Sequence, residues 1–110
     1  MLARRKPLRV KSATQAEREW AQVTCVSGVC LRCGNLGRVH PHHIIPRRYR
    51  AFRTDRRNGI PLCFTCHVGG PKSAHGSPLD FRKWLWDALP GKMERLHAEC
   101  PEAMLRKEMD

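Results

Sequence analysis

Apolar positions recur at helical spacing in three stretches of this chain and at strand spacing in two more, and the short strands bracket a polar centre. Between Thr14 and about Thr24, Ala16, Trp20 and Val23 fall on one side while Glu17, Arg18 and Glu19 lie largely on the other. That period predicts a short helix packing Trp20 on a core. Residues 39–45 have strand character, with Ile44 and Ile45 expected to reach the interior. Residues 58–62, Asn-Gly-Ile-Pro-Leu, form a second short apolar piece. The C-terminal third reads as helical. Ser77, Pro78 and Asp80 supply a capping hydroxyl, a proline whose missing N–H costs nothing, and an acid near the positive helix end. Phe81, Trp84, Leu85 and Leu89 then share a face until Pro90-Gly91, and residues 92–100 align Met93, Leu96 and Cys100 on a further helix.

Composition narrows the class. The chain has 110 residues, enough for one domain with one modest core, and only 6% are aromatic, so a bound metal would help hold it together. A formal charge of +11 and a pI near 10.2 favour a polyanionic partner, nucleic acid above all, over a merely solvated basic surface. No basic amphipathic helix with a broad apolar face is present, which argues against a membrane surface. No apolar run reaches the roughly 18 residues of a membrane span, and no secretory segment follows the start. A soluble, cytoplasmic protein is expected. Residues 1–12 carry Arg4, Arg5, Lys6, Arg9 and Lys11 with no acid and read as a flexible basic arm.

The chemistry-bearing residues lie between positions 30 and 75. Cys30-Leu31-Arg32-Cys33 and Cys63-Phe64-Thr65-Cys66 are two Cys-x2-Cys pairs separated by 29 residues. Each pair can aim two sulfurs at one tetrahedral ion, so a four-thiolate zinc site is the leading reading and a disulfide framework the lesser one. Cys25 and Cys100 are left over. His42 and His43 are adjacent on a strand and so point to opposite faces: one can hold a metal while the other addresses a different object. His40, His42, His43, Asn58, His67 and His75 all bracket the knuckles. Residues 46–57 carry Arg47, Arg48, Arg50, Arg53, Arg56 and Arg57 interleaved with Tyr49 and Phe52, a connecting loop whose composition suits binding.

This arrangement resembles the HNH endonuclease family, especially its short phage and bacterial forms. The residues that carry the resemblance are the first Cys-x2-Cys, His42-His43-Ile44-Ile45-Pro46, Asn58, and Leu62-Cys63-x2-Cys66-His67. Ala74-His75, Pro78 and Phe81 continue it. The resemblance implies an α+β, zinc-stabilised fold with a ββα-metal core, two strands and a helix around a catalytic metal, flanked by N- and C-terminal helices. Residues 13–110 would then be a single nuclease domain. It implies His43 as general base and Asn58 as the residue orienting the catalytic loop or the base. His42, His67 and His75 become ligands of a catalytic divalent metal, and Cys30, Cys33, Cys63 and Cys66 ligands of structural zinc. The arginines from Arg47 to Arg57 would contact DNA, double-stranded or branched. Phage or host DNA-processing proteins are the implied partners, in a bacterial or phage-infected cell. His40 takes no role from the resemblance.

Those assignments are chemically consistent. Phosphodiester hydrolysis needs a base near neutral pKa and a cation at the phosphoryl group. An imidazole-rich site suits Zn, Ni or Mn better than Mg. One departure from the resembled pattern stands out: the forms that carry Ala-His usually present two histidines four residues apart on one helix face, whereas His67 and His75 are eight apart with Gly69-Gly70-Pro71 between them. A continuous helix would part them by about 12 Å, so either a loop returns His75 to the metal or water takes its place. The return is the expected outcome. A non-catalytic zinc-ribbon module that binds nucleic acid is the alternative from another class; it leaves His42, His43, Asn58 and His67 unexplained.

Overall fold

The computed structural model describes residues 14–103; the basic arm over residues 1–12 lies outside the described residues. Helix α1, Gln15–Thr24, starts where the sequence places it, and its start is a reciprocal cap. The Thr14 hydroxyl accepts the Glu17 N–H at 3.1 Å, and the Glu17 carboxylate accepts the Thr14 N–H at 2.9 Å. Of the three apolar positions expected to pack, Trp20 is buried, whereas Ala16 and Val23 are exposed. The indole Nε1–H donates to the Asp55 carbonyl at 3.1 Å, so one large ring makes the deep contact for its helix.

Strands β1, His40–His43, and β2, Gly59–Leu62, pair antiparallel with His40 opposite Leu62, Pro41 opposite Pro61, His42 opposite Ile60 and His43 opposite Gly59. Paired residues share a face of the ribbon. His40, His42, Ile60 and Leu62 therefore look one way, and His43 and Gly59 look the other, toward α1. The first strand is shorter than the sequence suggests because the backbone of Ile45 finds another partner. Its N–H and C=O both bond the Asn58 side chain, and Ile45 drops fully into the core while Ile44 is only half-buried.

The arginine-rich connection is more ordered than a loop. It holds two 3-10 turns, Arg50–Phe52 and Arg56–Asn58, with Tyr49 and Phe52 packed against the core. After β2 the chain makes a π-helical turn, Thr65–Gly69, in place of a regular helix. Helix α2, Pro78–Ala88, and helix α3, Pro90–Glu99, complete the fold. Ser77 stands at the cap of α2, but its hydroxyl donates to the Pro71 carbonyl at 2.6 Å and caps nothing. Pro90 opens α3 two residues earlier than expected, in the first-turn position that suits its fixed φ.

The core gathers Cys30, Ile45, Ile60, Leu62, Phe81, Leu85, Trp86, Met93, Leu96 and Cys100 between the ribbon and the two C-terminal helices. Each fully buried aliphatic side chain contributes about 1.5–3 kcal/mol. The architecture is thus a small α+β fold with an antiparallel two-strand ribbon and a four-cysteine cluster. No helix among the described residues is long and apolar enough to cross a membrane.

Candidate metal centre

Two groups of metal-ligating side chains converge among the described residues: Cys30, Cys33, Cys63 and Cys66 in one, His42, His67 and His75 in the other. Within each group the ligand atoms all lie within 4.8 Å of one another. All six cysteines are free thiols.

The cysteine group is built from two equivalent turns. Gly34 N–H closes the first by donating to the Cys30 carbonyl at 2.9 Å, and His67 N–H closes the second on the Cys63 carbonyl, also at 2.9 Å. Gly34 has φ +79°, a backbone conformation that glycine adopts without penalty. Leu31 N–H donates to the Pro61 carbonyl at 2.9 Å and ties the first turn to β2. A tetrahedral zinc with Zn–S near 2.3 Å requires sulfurs about 3.8 Å apart. Cys33 Sγ and Cys63 Sγ stand 3.6 Å apart, so the set fits zinc. Burial works against ionising Cys30, but the N–H groups of Cys33, Cys63 and Arg32 outweigh it and bring the thiol down to about 6. Burial and the neighbouring sulfurs push Cys66 up. Four sulfurs this close cannot all ionise without a cation among them.

The histidine group depends on a chain reversal. From Gly69 to Pro71 the backbone leaves the π-helical turn and doubles back. Ala74 N–H then donates to the Cys66 carbonyl at 2.9 Å, and His75 N–H to the His67 carbonyl at 3.0 Å. This brings His75 Nε2 to 3.1 Å from His67 Nε2. The His42 ring meets both edge-on, with centroids 5.3 Å from His67 and 5.4 Å from His75. Nitrogens bound to one tetrahedral ion at about 2.1 Å would sit roughly 3.4 Å apart, so these residues fit a divalent metal. Burial, then the nearby His67 and His75, push His42 down to about 3. Burial also lowers His67, followed by His75 and His40. Both rings are held neutral, the form that ligates metal.

His43 lies outside that cluster, on the opposite face of β1. Its Nε2 is 2.9 Å from the Arg53 carbonyl. A carbonyl only accepts, so Nε2 carries the proton and Nδ1 keeps its lone pair. Burial lowers the pKa of His43 more than the Arg53 carbonyl raises it. Trp20 covers the ring, with centroids 3.9 Å apart and planes 11° from parallel. Asn58 is fully buried. Its Oδ1 accepts the Ile45 N–H at 2.5 Å, and its Nδ2 donates to the carbonyls of Ile45 and Phe52, both at 2.9 Å. It pins the start and the middle of the arginine segment to one point.

His42, His43, His67 and His75 line one cleft of about 530 Å³, with Arg47, Arg82, Phe81 and Trp20 among its walls. The six arginines separate into kinds. Arg47 and Arg53 reach Glu17 at 3.2 and 3.7 Å, and Arg57 pairs with Asp55 at 2.6 Å and with Glu99. Arg48 lies over the Tyr49 ring. Arg50 and Arg56 are exposed and make no side-chain hydrogen bond or ion pair among the described residues. Sequence reasoning missed Trp20 as a wall of the site, because nothing local links it to His43, and it missed Arg82. His40 had a legible signal: two residues before His42 on a strand, it must share that residue's face.

The family model described as HNH endonuclease matches residues 30–69, the stretch that holds both cysteine turns, β1, β2, Asn58 and His67. No curated protein and no solved structure matches the chain.

Proposed function

We propose, from the match of residues 30–69 to the HNH endonucleases, that this chain hydrolyses phosphodiester bonds of DNA with one catalytic divalent metal. The observation that carries the reading is the convergence of His42, His67 and His75 on one point of a cleft that His43 also lines. A zinc ribbon that only binds needs the four cysteines and has no use for that second cluster. Structural zinc at Cys30, Cys33, Cys63 and Cys66 fits the thiolate geometry. At the imidazole site, Mg, Mn, Ni or Zn would supply positive charge to the scissile phosphate and its leaving oxygen.

The side chains divide the remaining work. His43 takes the proton of the attacking water on Nδ1, since Nε2–H is committed to the Arg53 carbonyl. Water oxygen bonds to phosphorus as the P–O bond to the leaving group breaks. Asn58 fixes the loop that supplies that carbonyl through its bond to Phe52, next to Arg53. Arg50 and Arg56, with the basic arm of residues 1–12, neutralise neighbouring phosphates and position the duplex or branched DNA. Residues 13–110 act as one nuclease domain in the cytoplasm of a bacterial or phage-infected cell, beside phage or host proteins of DNA processing, packaging or recombination.

A plasmid-nicking assay with purified protein across Mg, Mn, Ni and Zn tests this. Conversion of supercoiled to nicked or linear DNA, lost in His43→Ala with affinity kept, is expected. DNA binding without cleavage under any of the four metals would leave the zinc-ribbon reading in its place.

A further inference from the structure

His40 has no part in the proposed reaction, yet its environment is built. It sits on β1 on the same face as His42, and its Nδ1 lies 3.3 Å from Nδ1 of His67. Phe64 stands edge-on to the His40 ring, centroids 6.4 Å apart. A Cβ at Gly69 would run into the Phe64 ring, so glycine at that position leaves Phe64 room beside the π-helical turn. The His67 ring is thus held from both ends: Nε2 faces His75, and Nδ1 faces His40.

We infer that His40 is a positioning residue for the imidazole of His67. The inference rests on the tri-histidine site proposed above. A ligand nitrogen must present a lone pair, and His67 Nε2 is the nitrogen within the cluster. The proton of a neutral His67 ring then belongs on Nδ1, where the one side-chain partner 3.3 Å away is His40 Nδ1. His67 Nδ1–H donates, His40 Nδ1 accepts, and the His40 proton resides on Nε2. The bond fixes both the tautomer and the tilt of His67, and loss of such a partner lowers metal affinity by on the order of 10–100-fold. His40 needs no contact with the metal to do this. It lies outside the set of nitrogens that converge.

Two substitutions isolate the hydrogen bond from the packing. In His40→Asn the Oδ1 atom occupies nearly the place of Nδ1 and still accepts; His40→Leu has a similar shape and accepts nothing. With zinc retained in the cysteine site, Co2+ is titrated into the histidine site and followed by its visible absorption. His40→Leu is expected to bind Co2+ on the order of 10–100-fold more weakly than the parent with altered bands, and His40→Asn within a few-fold. Equal affinity for parent and His40→Leu, or an equal loss in both variants, overturns the inference. Nitrogen-detected NMR on histidine-labelled, zinc-loaded parent protein decides the matter if His40→Leu does not fold: His67 protonated on Nδ1 is expected, and protonation on Nε2 refutes it. A parent that takes up no second ion, with His67→Ala indistinguishable from it, removes the tri-histidine site itself. Parental binding with an unaffected His40→Leu removes only the role of His40.

Discussion

The indole of Trp20 lies flat against the imidazole of His43, 3.9 Å between ring centroids and 11° between planes. Trp20 is anchored in turn through Nε1–H to the Asp55 carbonyl at 3.1 Å. His43 is therefore clamped between an aromatic wall and the Arg53 carbonyl. The residue paired with His43 across the ribbon is Gly59, and a Cβ there would come within 3.0 Å of the Trp20 ring as well as striking the Thr24 hydroxyl.

The clamp predicts graded losses. His43→Ala should slow cleavage by on the order of 10²–10⁴. Trp20→Leu removes the flat wall but not the base, and a misplaced group can cost up to about 10²-fold. Trp20→Phe, which keeps a stacking ring, should stay closer to the parent. Single-turnover nicking rates order the three, and a Trp20→Leu rate equal to the parent's denies the wall any part in positioning. Gly59→Ala should act in the same direction by displacing the indole, visible as a change in tryptophan fluorescence.

Asn58 predicts an effect on stability as much as on rate. Alanine there leaves the Ile45 N–H and the carbonyls of Ile45 and Phe52 buried without their partner. Each orphaned group costs about 1–3 kcal/mol, partly offset by relaxation or water, so a loss of roughly 2–4 kcal/mol is expected. Thermal unfolding of Asn58→Ala measures it. An unchanged melting temperature would show the staple to be dispensable.

How far the sequence reached follows from what each signal encodes. Knuckle spacing reports a local turn, so both cysteine pairs were legible from their letters. Strand alternation alone separates His42 from His43. Trp20 was legible as a core residue, but its contact with His43 is tertiary and left no periodic trace. The hydroxyl of Ser77 does not cap α2, because a carbonyl six residues earlier, at Pro71, competes for it. The arginines read alike as letters, yet Glu17 and Glu99, from other parts of the chain, engage three of them. Ion pairing over such separations has no spacing rule.

The second cysteine turn joins the two clusters, since the residue whose N–H closes it is His67. Removing a thiolate from that turn should therefore disturb both. Zinc binding at such a site carries an apparent ~10–16 kcal/mol, beyond what a small domain can lose. Cys63→Ser should give protein that is unfolded or insoluble, with zinc content by elemental analysis falling together with the cooperative transition. A zinc-free variant that still unfolds cooperatively would mean that the four sulfurs do not hold the fold.

The arginine segment should split into two phenotypes, although its members sit within a few residues of one another. Arg57 donates to both Asp55 and Glu99, linking the turn before β2 to the end of α3, and its guanidinium holds both carboxyl groups below their ordinary range. Arg57→Ala should lower the melting temperature and leave the salt dependence of DNA affinity close to the parent's. Arg50 and Arg56 are exposed and have no such partner among the described residues. Their guanidinium groups can each replace a counterion on duplex DNA, worth about 0.9 in the slope of log affinity against log salt. The double substitution Arg50→Ala with Arg56→Ala should thus reduce that slope by about 1.8 while the protein melts as before. Fluorescence anisotropy on labelled duplex at several salt concentrations reads the slope directly. An unchanged slope in the double variant would take the segment out of the DNA interface and leave the phosphate contacts to other basic residues of the chain.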